Sequence, residues 1–475
     1  MITTNRFFSV NLLKKAEFWI ILFFLLRLYG IMHPPLEVLH NIRQTDTLMI
    51  ARNFHERDNS IFFPMADVAG EKSGIVGSEF PIFNYLIALV ADLFGFDDWY
   101  GRLINLIVSS LGIWFFYKLI RKYFGEAAGF NAAILLLVSL WLIYSRKTMP
   151  DTFAASLCII SVYYAMEFLD HGKWHQFILY FLLGAAGALS KVSAIPILSV
   201  LAVPVFFGSF ITQRKVGLVA AGLVILSAVI GWYYYWVPYL NETYGYTMFF
   251  MGMSFVDGIK DTFVYLPDVL ARFYGTALKY TGFGAWCVGI TLLVVNKKWL
   301  PLAIFGVLFC AHWLVIFKVG GTFGSNEYYV LVVIPAMAFI AGVGLAEIRN
   351  PKIVMAILLV VAIEGIANRI HDFRVKEPIR VMLQLEGIMD TVSDRTDLIA
   401  INGRKDANGT AMFFAHRRGW LVHNDDLLLE HYRNDLINKG CKYFLIVKLR
   451  GWEGDLTLPY EEVYNSEAFR IYKCR

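Results

Sequence analysis

Charge is what this chain has least of. Asp, Glu, Lys and Arg make up 17% of its 475 residues, where a soluble globular chain carries about 25%. That deficit excludes an ordinary soluble domain. Apolar residues fill the gap: 57% are hydrophobic, 16% are aromatic, and the mean hydropathy is +0.55. Cysteine is scarce too. The five cysteines form no Cys-x-x-Cys pair and no zinc spacing, which excludes a zinc module or a dithiol redox motif. Cys158, Cys287 and Cys310 lie in apolar runs, where cysteine behaves as a small hydrophobe. There is no glycine-rich phosphate loop and no internal repeat. The first apolar run, EFWIILFFLLRLYGIM, lacks a small-residue cleavage pattern after it, so it reads as a retained helix. The net charge of +5 does not indicate a nucleic-acid partner, because the lysines and arginines sit in turns between apolar runs.

Those runs predict a polytopic, multi-pass membrane protein of about eleven helical spans. They lie near residues 17–33, 103–120, 127–145, 151–169, 174–190, 192–211, 216–238, 282–296, 299–317, 328–348 and 352–368. The segment PIFNYLIALVADLFG, 81–95, is short for a span. If it lies in the interface, alternate turns carry Lys14 and Lys15, Arg121 and Lys122, Lys173, Arg214 and Lys215, Lys297 and Lys298, and Arg349 and Lys352. Every cytoplasmic turn is then basic, as the positive-inside rule requires. This topology makes 1–370 a membrane domain with a long external loop, 33–102, that bears amphipathic helices. A second external loop spans 239–281, and 371–475 is a small external domain. That tail alternates strand-like runs (DLIAIN, GWLVH, KYFLIVK, FRIYKC) with helical ones (GTAMFFAHRR, LLLEHYRNDLINKG), which predicts an α/β fold. Cys441 and Cys474 bound two of its strand-like runs and would face each other if those strands were antiparallel neighbours. A disulfide and two free thiols both remain open.

The external ionisable residues gather at span ends. The first loop supplies Arg43, Asp46, Arg52, Asp67 and Glu79; SRKTMPD supplies Arg146, Lys147 and Asp151; later loops supply Lys191 and the Asn326-Glu327-Tyr328 run. Carboxylates and cations on one membrane face suit an anionic, lipid-anchored substrate: cations offset phosphate charge, and a carboxylate takes a proton from a hydroxyl. Each residue also has a plainer reading. Asp46 is either a base or the first-turn acid of a helix starting near Thr45. Glu79 is either a site residue or a solvated pre-proline turn residue. Arg146, Lys147 and Lys191 bind substrate or anchor headgroups. Asp151 is functional or caps the next helix. GWYYYW, 231–236, reads as an aromatic belt, and Arg27 and Glu364 as polar contacts between spans.

The ordered set TDTLMIARNF, SEFPIFNYL and DLFG, with Arg102 before the next span, then RKTMPDTFA, SKVSAIP and NEYYVLVVIP, resembles the C-type (GT-C) membrane glycosyltransferases. It is most similar to the bacterial relatives of protein O-mannosyltransferases and of lipid A aminoarabinose transferases. The match is good over roughly the first 200 residues and looser beyond. The resemblance implies an inverting transferase in the bacterial inner membrane that uses a polyprenyl-phosphate-linked sugar. Its acceptor would be a protein, a lipid or a polysaccharide at the outer, periplasmic face. It implies a catalytic carboxylate among Asp46, Glu79 and Asp151, and donor binding by Arg43, Arg102, Arg146, Lys147, Lys191, Glu327 and Tyr328. No cofactor is required; a divalent metal on Asp46 and Glu79 is possible. The sequence departs from the family's paired acids, since Arg43 and Gln44 occupy those positions and the carboxylate follows at Asp46. Phe80 replaces a lysine found after the turn glutamate. Two competing readings are a transporter or flippase for a lipid-linked sugar or other anion, and a non-catalytic scaffold. A transporter would place its charges near the bilayer midplane on interrupted helices.

Overall fold

The computed structural model describes residues 12–248, 252–403 and 408–474. The chain divides into two units. One comprises Met1–Ile31, Arg102–Ile230 and Met251–His371; the other comprises Met32–Gly101, Gly231–Phe250 and Asp372–Arg475.

The first unit is helical. Its longest apolar helices include Tyr100–Phe124, Pro150–His171 and Trp299–Val319, and a fourth, Thr212–Tyr244, begins in it. These four are long and apolar enough to cross a membrane; Leu266–Ala277 with Lys279–Val295, bent by 93°, would make a fifth. Among the described residues, length and composition thus mark four or five of the roughly eleven expected spans. Several apolar runs are broken into pieces. The 192–211 run is a chain of short α and 3-10 segments around Pro196 and Pro204. The 328–348 run starts as a 3-10 turn, Glu327–Val332, before Pro335 opens the Ile334–Leu345 helix. Proline removes a helical N–H and clashes with the preceding turn, so an apolar run containing it need not be one helix. Glu364 accepts from the Thr281 backbone N–H at 2.8 Å, a polar contact between two helices.

The second unit holds the first loop and the tail. Its five-stranded sheet has the order β2-β1-β3-β5-β4, with β1 Leu398–Asn402, β2 Arg418–Val422, β3 Cys441–Val447, β4 Glu461–Asn465 and β5 Phe469–Lys473. β1 runs parallel to β2 and β3, while β5 is antiparallel to both β3 and β4. Leu445 faces Ile471 in the β3–β5 pair, and Ala400 faces Phe444 in the β1–β3 pair. Four strands coincide with the strand-like runs. The fifth, EEVYN, escapes pattern reading because it is a solvent-facing edge strand with no buried residue.

The first loop packs into this unit. The Ile82–Phe94 helix, 13 residues long, buries Phe83, Ile87, Ala88 and Ala91 and leaves Leu93 and Phe94 exposed. At about 1.5 Å per residue it is too short to cross a hydrocarbon core of about 30 Å. Ala88 packs with Ile50 and Phe54 of the Asn41–Glu56 helix. Further along, Gly70 N–H donates to Gly419 O at 2.7 Å, and Gly419 N–H donates to Asp67 O at 2.9 Å, so the loop covers part of β2. Glycine is needed there: a Cβ on Gly419, at φ +152, would sit 1.7 Å from Ile399 O. The GWYYYW run also turns inward in part. Trp232 is buried and donates to Ser78 O at 2.9 Å, and Trp236 donates to Phe62 O at 2.9 Å. Tyr234 and Tyr235 stay exposed.

Candidate active site

The second unit carries one group of site residues on the Asn41–Glu56 helix. This helix begins at Asn41, not near Thr45, so Asp46 is its sixth residue and lies in the second turn. It therefore does not cap the helix, and the first turn has no acid. Arg43, one turn earlier, donates from Nη2 to Glu79 Oε1 at 2.8 Å. Among the described residues the Asp46 carboxylate makes no hydrogen bond. Asp46 is half-buried, and burial pushes its carboxyl up to about 7; the Arg43 guanidinium pulls it down and the Glu79 carboxylate adds to the rise. A carboxyl tuned this way exchanges protons near neutral pH, as a general base must.

Arg52 faces the other way. Its Nη2 donates to Asp67 Oδ2 at 3.1 Å, its Nη1 to Phe413 O at 2.9 Å, and its guanidinium lies 4.6 Å from the Phe413 ring centroid. Asn53 completes the hold on Asp67, Nδ2 to Oδ1 at 2.9 Å. Both charged groups are consumed in joining loop to tail. Phe80, at the family's lysine position, stacks edge-on against Trp232 with ring centroids 4.6 Å apart.

The first unit carries the remaining predicted residues. Arg146 (1% exposed) and Lys147 (0%) are buried in the turn before the Pro150–His171 helix. Lys191, 7% exposed, ends the Trp174–Ser190 helix. None of the three is placed like a headgroup anchor, whose charged end reaches water. Lys191 Nζ lies 3.8 Å from Asp151 Oδ1 and 5.6 Å from the Tyr328 ring centroid. Asp151 follows Pro150 in the first helical turn, two residues after the N-cap position held by Met149. Arg146 donates from Nη2 to Gly30 O at 2.6 Å, and buried Arg102 donates from Nη1 to Ile31 O at 3.5 Å, so two arginines hold one stretch of backbone. Glu327 accepts from Tyr144 Oη at 2.9 Å and lies 4.0 Å from Arg272 Nη1.

Sequence reasoning missed Tyr144 and Arg272. Tyr144 adjoins the SRK turn, a usable signal; Arg272 had none, being one of several scattered charges in the 239–281 loop. Arg27, read as a polar contact between spans, donates from Nη2 to Ser110 Oγ at 3.3 Å, from Nε to Phe23 O at 2.9 Å, and to Ser145 Oγ.

Asp46 and Glu79 fit a divalent cation poorly. Glu79 is already paired with Arg43, and the one His/Cys/Asp/Glu group with metal-like spacing among the described residues is elsewhere, at Glu167, Asp170 and His171. There Lys122 Nζ pairs with Glu167 and Asp170, each at 2.6 Å.

Residues 78–235 match the family of dolichyl-phosphate-mannose-protein mannosyltransferases. ArnT from Cupriavidus metallidurans, in a crystal structure bound to undecaprenyl phosphate, aligns with a TM-score of 0.65 over 97% of this chain and 98% of that one, at 14% identity. The chain has the GT-C membrane glycosyltransferase fold. A second GT-C structure, the Archaeoglobus fulgidus oligosaccharyltransferase AglB in complex with an inhibitory peptide and a dolichol-phosphate, aligns with a TM-score of 0.52 at 12% identity. It covers 91% of this chain and 70% of that one. An oligosaccharyltransferase from Archaeoglobus fulgidus in complex with Zn and sulfate aligns with a TM-score of 0.54 at 13% identity, over 90% of this chain and 67% of that one. No curated protein matches the sequence.

Proposed function

We propose that the protein transfers a sugar from a polyprenyl-phosphate donor to an acceptor hydroxyl at the outer face of a bacterial inner membrane, with inversion at the anomeric carbon. The observation that carries this reading is Asp46, a carboxyl with no hydrogen bond among the described residues, pushed up to about 7 by burial, beside the Arg43–Glu79 pair. In the step, the acceptor oxygen bonds to the anomeric carbon as the bond from that carbon to the phosphate oxygen breaks. The hydroxyl proton goes to Asp46, and the bond's electron pair leaves with the lipid phosphate. Lys191, Arg146 and Lys147 are the proposed partners of that phosphate. Asp151 orients Lys191, Tyr328 lies beside it, Glu327 is oriented by Tyr144, and Arg102 holds the backbone next to the segment bound by Arg146. Arg43 and Glu79 set the charge around Asp46. No step needs a metal. The outer-face assignment, with about eleven passes and the tail domain outside, rests on the basic turns of the sequence.

The test is to incubate purified protein with a panel of polyprenyl-phosphate sugars and candidate acceptors and to follow release of the lipid phosphate. Acceptor-dependent release with one sugar is expected, with Asp46→Asn abolishing it. Folded protein that releases none across the panel overturns the proposal.

A further inference from the structure

The tail domain supplies a wall beside Asp46. The turn before its Thr410–Ala415 helix lies against the Asn41–Glu56 helix: a Cβ on Gly409 would stand 3.0 Å from Asp46 Oδ1, 3.2 Å from Met49 Cε and 3.6 Å from Val68 Cγ1. The next residue continues the contact. Thr45 donates its hydroxyl proton along its own helix, to Asn41 O at 3.1 Å or Ile42 O at 3.0 Å. Its oxygen is then free to accept from Thr410 Oγ1 at 3.2 Å, inside the protein. Two turns on, Arg52 bonds Phe413 O. The turn has a defined shape, because Asn408 Oδ1 accepts from Thr410 N–H at 3.2 Å and Gly409 O accepts from Phe413 N–H at 2.9 Å. Gly409 has φ −72 and ψ 0, a conformation any residue adopts. Glycine at 409 is therefore not demanded by the backbone. It is demanded by how near the tail comes to the carboxylate.

We infer that Gly409 and Thr410 are positioning residues for Asp46: the glycine lets the tail close one side of the carboxylate, and the threonine hydroxyl fixes the helix turn that carries it. The inference rests on Asp46 being the base. It makes the tail part of the acceptor-side machinery. Among the described residues the charged groups that face Asp46 are Arg43 on its own helix and Glu79 at the loop turn.

Gly409→Ala puts a methyl group against Oδ1 closer than nearly all real Cβ contacts, so the carboxylate or the turn must shift by a few tenths of an ångström. Misplacing a reacting group by about 1 Å can cost about 100-fold, so this smaller shift is expected to lower kcat by roughly 3- to 10-fold. The methyl also removes water from the carboxylate, so the acid limb of the kcat/KM profile moves to higher pH. The KM for the donor stays unchanged. Thr410→Val, which keeps the shape and loses the hydroxyl, lowers kcat in the same way, and Thr410→Ser restores it. Circular dichroism shows that each variant is folded. An unmoved pH profile in folded Gly409→Ala and an unchanged kcat in folded Thr410→Val, beside an inactive Asp46→Asn, overturn this inference alone. Normal turnover in Asp46→Asn overturns the base assignment and this inference with it.

Discussion

Arg43 and Glu79 are paired at 2.8 Å, yet they act on Asp46 in opposite directions: the guanidinium lowers its proton affinity and the carboxylate raises it. The pair is partly exposed on both sides, so as an ion pair it contributes little to stability. Its consequence is the charge state of a third group.

The pH dependence of turnover follows. A base must be deprotonated, so kcat/KM should rise with pH through about 7, where the Asp46 carboxyl is held. Arg43→Gln removes the cation and should move the rise to higher pH. Glu79→Gln removes the neighbouring negative charge and should move it lower. Profiles that shift in the reverse sense, or in neither variant, exclude Asp46 as the group observed.

Stability should show the same group with the opposite sign. The folded protein keeps a proton on Asp46 that the unfolded chain releases near its ordinary value of 3.8. Between that value and about 7 the folded state binds more protons, so this residue's contribution falls as pH rises through the window. Asp46→Asn mimics the protonated form. It should match the parent's thermal midpoint near pH 4 and exceed it at pH 8, while losing the roughly 10²–10⁴-fold rate that a general base contributes. An equal or lower midpoint at pH 8 counts against the raised proton affinity.

Lys191 can be separated from its structural partner. Charge-assisted hydrogen bonds are worth about 1.5–3 kcal/mol, so Lys191→Met should weaken polyprenyl-phosphate binding by roughly 10- to 100-fold. The same change leaves Asp151 buried beside a thioether, 3.8 Å from where the ammonium stood, and should lower the melting temperature. Adding Asp151→Asn should recover the melting temperature without recovering lipid binding. Titration of undecaprenyl phosphate by intrinsic fluorescence checks the affinity; unchanged binding in Lys191→Met removes it from the phosphate site.

The two tail cysteines should join under mild oxidation. β3 and β5 are antiparallel neighbours, and Cys474 N–H donates to Lys442 O at 2.8 Å. An irregularity between Leu398 and Ile399 lets Cys441 pair with Leu398 while Tyr443 pairs with Ile399, and Cys441 packs in the same apolar cluster as Cys474. Both are thiols here, and the Cys441 sulfur, close enough to hydrogen-bond, together with burial, pushes the Cys474 thiol up. Oxidised glutathione should exchange with them, leaving one internal disulfide and two glutathione thiols. Non-reducing peptide mapping detects the cross-link, and separate alkylation of both cysteines after oxidation refutes it.

What could be read in advance was set by composition and period. The apolar runs, the basic turns and four of the five strands depend on local sequence alone, because burial in lipid or in a sheet core demands unbroken or alternating apolar residues over a few turns. The β4 strand was hidden because an exposed edge makes no such demand. Interruptions at Pro196, Pro204 and Pro335 were in plain view, but whether proline bends a span or breaks it depends on its neighbours.

Sequence by itself determined which charges to suspect, because an ionisable group at a membrane face is costly without a use. Only the tertiary structure decided what each one does. Arg43 and Arg52 lie on one helix, but Arg43 meets Glu79, 36 positions away, while Arg52 meets Phe413, 361 positions away. Lys191 looked like an anchor until burial beside Asp151 removed it from the surface. Gly409 and Thr410 carried no signal at all beside Asp46. Proton affinity, burial and reach are properties of a group's surroundings, and these surroundings come from chain segments that local patterns do not connect.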